Sequence, residues 1–296
     1  MTKVALINKI ALAGVIVLTL ILASGQLSGL WQVPESSATT YYADPFAKLN
    51  LTAKAAVVYD TDKNEIIYAK NAYQALPLAS ITKVMTALVA SEQDTNQTVN
   101  ISASALSTEG DSGLAKDESW SLKKLIDFTL ISSSNDGAAA LAAAGGTNFI
   151  ANMNSEAKSL GLVNTEFVNP TGLDIGPGVA GNMGSALDVA RLLAYVLKTK
   201  PELLAATSER QSVITSQSDL NHVAVNTNQL AGRLPGLFAS KTGFTDTAGG
   251  NLAVAVDLGL NQPVIAVVLG STEEGRFADI EQLINTARGD HYLTNR

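Results

Sequence analysis

The period of apolar and polar positions changes along this chain, and the changes predict its elements. An apolar run occupies 10–23, interrupted only by Thr19. Lys3 and Lys9 precede it and a polar stretch follows, the layout of a secretory signal or an N-terminal anchor. Its length suits the hydrophobic part of a signal peptide and is short for a full membrane span. Cleavage near Ala23, Ser24 and Gly25 would release the protein, whereas an uncleaved segment reaching Trp31 would anchor it, so 1–25 stands as signal or anchor. The stretch 26–48 is rich in Ser, Thr, Ala and Pro and predicts a tether. The folded part then extends over 49–290.

Ala55–Asp60 and Glu65–Tyr68, joined by a polar turn, predict two strands. Between Ser80 and Glu92, Ile81, Val84, Met85, Leu88 and Val89 fall at helical spacing. Helical patterns dominate from Ser121 to Lys200, Leu187–Lys198 among them, with Asn, Gly and Pro between. Two β-rich runs, Leu252–Asp257 and Pro263–Leu269, return near the end as a predicted hairpin, and 273–288 reads as an amphipathic helix. Strands at both ends and helices between them predict an α+β domain whose sheet joins the two ends, with a helical insertion.

Composition narrows the chemistry. The 296 residues are 46% hydrophobic and 16% charged, with net charge -7 and no basic cluster, which argues against a nucleic-acid partner. There is no Cys, which removes disulfides, thiolate metal sites and a Cys nucleophile. Only His222 and His291 supply imidazole. No metal or other cofactor is expected, and a Ser-His-Asp mechanism would rest on His222.

Three short motifs remain. Ser80-Ile81-Thr82-Lys83 is a Ser-x-x-Lys, and on a helix its ends share one face a turn apart. A serine hydroxyl needs a base to take its proton, and a lysine serves only if burial or a nearby cation lowers its pKa. The spacing alone carries little weight, since Ser121 with Lys124 and Ser155 with Lys158 repeat it. Ser80 differs in its setting, after a hairpin and Pro77 and before an apolar helix. Ser133-Ser134-Asn135 offers a second hydroxyl to relay a proton and an amide to orient Lys83 or the substrate, or else a helix cap. Lys241-Thr242-Gly243 opens the last β region. There a lysine and a threonine would bind a carboxylate, an edge strand would pair with an extended peptide, and glycine would admit another backbone.

In this order the three motifs are the set of β-lactamases and penicillin-binding proteins. With their flanks (Leu78–Thr86, Ser134–Asp136, Asn164–Leu173, Lys241–Thr245 and Gly249–Leu252) the chain resembles the low-molecular-mass penicillin-binding proteins that are D-alanyl-D-alanine carboxypeptidases, serine peptidases of the S11 type. The likeness runs over about 50–288. It implies an antiparallel sheet flanked by helices, with a mainly helical inserted subdomain. It also implies an exported enzyme at the outer face of the membrane, in the periplasm or in the wall, held at the membrane if the N-terminal segment is retained. Its substrate would be peptidoglycan stem peptides ending in D-Ala-D-Ala, and β-lactam antibiotics would be covalent inhibitors. By the resemblance, Ser80 forms the acyl-enzyme, Lys83 takes its proton, and Ser133 and Asn135 line the facing wall. Lys241 binds substrate and, as a cation, keeps Lys83 neutral, while the backbone N–H groups of Ser80 and Phe244 form the oxyanion hole. Arg276 resembles an arginine near the carboxylate end of the site, and a surface partner for Glu273 or Asp279 is its other reading.

Rival readings are a class A-like β-lactamase, with Glu166 as deacylating base, and a non-catalytic penicillin-binding wall sensor. Glu166 stands one residue too close to Asn169 for the lactamase pattern, and no motif is broken as a silent sensor would require.

Overall fold

The computed structural model describes residues 44–294 except 95, 111–112 and 260. The signal or anchor segment and the tether up to residue 43 lie outside the described residues. Strands β1 (Ala55–Asp60), β2 (Glu65–Lys70) and the short β3 (Leu76–Pro77) lead to a 3-10 turn, Ala79–Thr82, and helix α1 (Lys83–Ala90). The inserted region holds β4 (Thr98–Asn100), α2 (Ala103–Leu106), β5 (Ser119–Ser121), α3 (Leu122–Ser132), α4 (Asn135–Ala144) and α5 (Phe149–Ser159). It continues through β6 (Met183–Gly184), α6 (Ala186–Thr199) and the hairpin of β7 (Gln211–Thr215) and β8 (Asn221–Val225). The chain closes with β9 (Leu237–Thr245), β10 (Gly249–Asp257), β11 (Pro263–Ser271) and α7 (Gly275–Thr294).

The main sheet has the order β2-β1-β11-β10-β9, with every described pairing antiparallel. β1 pairs with β11 from Ala55 opposite Leu269 to Asp60 opposite Val264, so the two ends of the chain share the centre of the sheet, as the strand pattern predicts. These strands are buried on both faces and therefore read as continuous apolar runs rather than alternating ones. One face (Ala55, Val57, Ala253, Ala255, Ile265, Val267) packs on the helical region, including α1 and α6. The other (Val58, Leu252, Val254, Val264, Val268) packs on Phe277, Ile280, Leu283 and Ile284 of α7. The sheet is thus a middle layer, and β9 is its edge.

Residues 45–48, read from composition as the end of the tether, form a 3-10 turn. Phe46 in that turn is buried and stacks on Tyr68 at 5.0 Å, because one aromatic ring among small polar residues suffices to dock the segment. The entry to the sheet is then pinned by Asp279, whose carboxylate accepts from Thr52 N, Ala53 N, Thr52 Oγ1 and Ser271 Oγ at 2.7–2.9 Å.

Candidate active site

The nucleophile candidate sits on a tight turn rather than on an α-helix. Ala79–Thr82 is 3-10, and α1 begins at Lys83. Three-residue spacing still brings Ser80 and Lys83 to one side. The turn is wedged between two glycines. A Cβ on Gly172, where φ is +87°, would meet the Ala79 carbonyl oxygen at 1.9 Å, and one on Gly243 would meet the Leu78 carbonyl oxygen at 2.8 Å. Ala79 itself has φ +46°, a strained value for a residue with a Cβ that persists only where the surroundings impose it. Asn251, fully buried, donates to the Pro77 carbonyl at 2.9 Å and accepts from Gly270 N at 2.8 Å, fastening the approach to the turn onto the sheet.

Lys83 is completely buried, its Nζ 2.8 Å from Ser80 Oγ, 2.7 Å from Asn135 Oδ1 and 2.7 Å from the Thr171 carbonyl oxygen. Burial, and then the neighbouring Lys241 cation, hold its pKa well below the ordinary 10.5. A neutral amine has two N–H bonds and one lone pair. Asn135 and Thr171, as pure acceptors there, take the two N–H bonds, which leaves the lone pair for the Ser80 hydroxyl. The arrangement is that of a base poised to remove one particular proton.

The facing wall comes from the junction of α3 and α4. Ser133 ends α3 in the left-handed region, φ 61°, and this reversal carries its Oγ to within 2.8 Å of Lys241 Nζ. The helix cap is the next residue: Ser134 Oγ accepts from Gly137 N at 2.8 Å. The hydroxyl that meets Lys241 and the helix cap therefore come from adjacent serines. Asn135 donates through Nδ2 to the Glu109 carbonyl at 2.7 Å, which orients its Oδ1 toward Lys83.

The third wall is edge strand β9. Lys241 is buried, donates to Ser133 Oγ and to the Thr242 carbonyl at 2.9 Å, and has its pKa pulled down to about 7 by burial and then by the Arg276 cation. Thr242 Oγ1 shares a 2.5 Å hydrogen bond with Thr227 Oγ1. Phe244 stands exposed at the outer end of the strand. Arg276 lies behind it, buried, donating to the Gly243 carbonyl at 2.9 Å with its guanidinium 4.8 Å from the Phe277 ring centre. Asp279 is engaged with Thr52, Ala53 and Ser271, which removes it as a partner of Arg276, while the charges of Glu273 and Glu274 do act on the guanidinium.

The structure thus brings Ser80, Lys83, Ser133, Asn135, Lys241, Thr242, Gly243 and Arg276 around one cleft. Glu166 is exposed, its backbone paired with Met183, and the group beside Lys83 is the Thr171 carbonyl. His222 packs against Trp120 and Phe128 and meets Glu118 at 2.6 Å, and none of these is a motif residue. Sequence reasoning assigned no role to Asn182. Buried at 1%, it donates to Thr82 Oγ1 at 2.8 Å and to the Asn169 carbonyl at 2.9 Å. It also accepts from Val168 N at 2.8 Å and Asn169 N at 3.1 Å. It thereby pins the loop that carries Thr171 to the nucleophile turn.

Comparisons with known proteins bear on the family and the fold. The family model described as D-alanyl-D-alanine carboxypeptidase matches residues 40–273. The D-alanyl-D-alanine carboxypeptidase DacF of Bacillus subtilis (strain 168) is 32% identical over 246 residues, 79% of this chain and 62% of that protein, so the chain spans about three fifths of this relative's length. A D-alanyl-D-alanine endopeptidase of Escherichia coli (strain K12) is also 32% identical, over 84% of this chain and 82% of that one. The structure of penicillin-binding protein D2 from Listeria monocytogenes in its ampicillin-bound form has TM-score 0.71 and 31% identity, covering 80% of this chain and 98% of that chain. The fold is that of the penicillin-binding proteins, as the motif order implied. A match over most of the chain, with the three motifs meeting in one cleft, makes this chain a member of the D-alanyl-D-alanine carboxypeptidase family of serine peptidases.

Proposed function

We propose that this protein removes the terminal D-alanine from peptidoglycan stem peptides through an acyl-enzyme on Ser80. The observation that carries the reading is the buried Lys83 amine 2.8 Å from Ser80 Oγ, with both its N–H bonds directed to fixed acceptors. Ser80 Oγ attacks the carbonyl carbon between the two D-alanines as its proton passes to Lys83 Nζ. The tetrahedral oxygen lies against the backbone N–H groups of Ser80 and Phe244. The C–N bond then breaks, and the departing amine receives a proton through the Ser133 hydroxyl. Water replaces the amine and returns along the same path, so that Ser80 regains its proton and the shortened peptide leaves. Lys241 and Thr242 hold the terminal carboxylate, and Arg276 keeps the Gly243 carbonyl and the strand in place.

A β-lactam presents the same carbonyl in a strained ring and acylates Ser80. Export by the N-terminal apolar segment, with 26–43 as a tether when it is retained, brings the cleft to the wall. An endopeptidase reading uses the same atoms with a cross-linked amine as leaving group, and it is favoured by the 32% identity to the E. coli endopeptidase. Mass spectrometry after penicillin and after a pentapeptide tests these assignments. The expected results are an adduct on the Ser80 peptide and release of D-alanine. A Ser80→Ala protein that still releases D-alanine would overturn the mechanism, and release of a cross-linked peptide alone would move the assignment to endopeptidase.

A further inference from the structure

A second cleft, about 850 Å³, opens at the far end of the main sheet, between α6, the β1–β2 turn and the start of β9. β11 runs from Pro263 beside this cleft to Gly270, which bonds Asn251 next to the nucleophile turn. The two sites therefore lie roughly 25 Å apart along the strands, at about 3.3 Å per residue.

The cleft is built from sequence features the catalytic reading leaves unused. Arg191, Tyr195 and Lys198 fall at i, i+4 and i+7 of α6, one stripe of a helix whose opposite face is core. Arg191 and Lys198 are exposed, and neither side chain has a hydrogen bond or ion pair among the described residues. Opposite them the sheet breaks register twice. β9 carries Phe238 as an extra residue, since Leu237 pairs with Val256 and Ala239 with Ala255. Ile67 is the extra residue where β2 passes Tyr59. Bulges re-aim side chains, and here Phe238 (36% exposed) and Tyr59 both line the cleft. Asp62 at the rim adds a hydroxyl acceptor. Aromatic side chains, a carboxylate among the lining groups and two cations without a hydrogen bond or ion pair among the described residues suit a ligand whose saturated rings offer an apolar C–H face and hydroxyl edges, with attached anions.

We propose that this cleft binds a glycan segment of the wall polymer, with sugar rings on Tyr195 and Phe238 and the carboxylates of attached peptides reaching Arg191 and Lys198. The identity of the polymer rests on the carboxypeptidase reading above. Bound there, a strand is held while its stem peptides are presented to Ser80, so the site raises affinity for polymer without touching the reacting atoms.

The test uses two substrates and one binding probe. Arg191→Ala and Tyr195→Ala should each raise KM for D-alanine release from insoluble sacculi by about tenfold, the effect of one lost charge-assisted or stacking contact, with kcat preserved. Turnover of a free pentapeptide should stay at the wild-type value. A disaccharide tripeptide, which lacks the scissile end, should shift amide resonances of α6 and the β1–β2 turn, and an uncharged N-acetylglucosamine tetramer should do so more weakly. Equal KM values on sacculi for wild type and both variants, or shifts confined to the residues around Ser80, overturn the proposal. If wild-type protein releases no D-alanine from the free pentapeptide, the carboxypeptidase reading falls while the tripeptide titration still decides the glycan site.

Discussion

Replacing Asn182 with alanine removes five hydrogen bonds, four to Val168 and Asn169 in the loop that leads to Thr171 and one to Thr82 in the nucleophile turn. The partners left behind are two backbone N–H groups, one carbonyl and the hydroxyl of Thr82, which is 1% exposed. A buried partner left unpaired costs about 1–3 kcal/mol, and water entering the vacated space re-satisfies about half of the four, so the loss is about 2–6 kcal/mol. For a domain of this size that lowers Tm by about 4–24 °C. The catalytic consequence is separate. Thr171 offers Lys83 its backbone oxygen at 2.7 Å, and loosening the loop lets that acceptor drift, so the lysine lone pair is no longer held toward Ser80. A misplacement of about 1 Å costs on the order of 10²-fold in rate. Thermal melts followed by circular dichroism and acylation rates with a fluorescent penicillin, taken well below the melt, read the two effects apart. An unchanged Tm would refute the pin. A lowered Tm with a wild-type acylation rate would refute the link from loop to lysine.

Gly243→Ala would place a methyl 2.8 Å from the Leu78 carbonyl oxygen and 3.1 Å from Ser80 N, forcing β9 from the nucleophile turn. Acylation in stopped flow should fall on the order of 10²-fold with a stability loss of about 1–3 kcal/mol, and a rate within twofold of wild type would contradict the close approach. The pH profile of kcat/KM should be bell-shaped, because Lys83 must be neutral and Lys241 charged. Activity rises with pH through the lowered pKa of Lys83 and falls as Lys241 loses its proton at about 7. Arg276→Ala removes the cation that depresses Lys241, so its falling limb should move to higher pH, and an unmoved limb argues against that coupling. His222→Ala should leave acylation intact while destabilising the protein by about 1–3 kcal/mol through the lost partner of the buried Glu118 Oε1, whose Oε2 keeps its bond from Ala115 N. A rate loss equal to that of Ser80→Ala would restore His222 as a catalytic candidate.

What could be read in the residues beforehand was whatever depends on side-chain type and period. The two hairpins, the edge position of Lys241 and the shared face of Ser80 and Lys83 all follow from such patterns. The unread parts depend on backbone. The carbonyls of Thr171 and Glu109 orient Lys83 and Asn135, and a carbonyl leaves no trace in the identity of its residue. The left-handed Ser133 is equally silent, since serine at a helix end reads as a cap and the cap proved to be Ser134. Asn182 sits outside every motif, and only its hydrogen bonds to Thr82, Val168 and Asn169 reveal it. The helix read as 273–288 runs from Gly275 to Thr294, because its start is set by Thr272 Oγ1, which accepts from Gly275 N at 2.9 Å, rather than by apolar spacing.

The pairing of β1 with β11 dictates an order of assembly. Ala55 must find Leu269 across almost the whole described chain, so the central ladder has very high contact order and forms slowly. During synthesis from the N-terminus, Ser80 and Lys83 are made long before β9, β10 and β11. Until those strands and α7 arrive, β1 lacks its central ladder partner and the face bearing Val58 stays uncovered, while Ser80 and Lys83 lack the β9 wall that carries Lys241. The nascent chain therefore lacks the assembled candidate site and is at the same time prone to aggregate. The candidate site and the cover for the sheet are completed together, when the last strand is inserted beside the first.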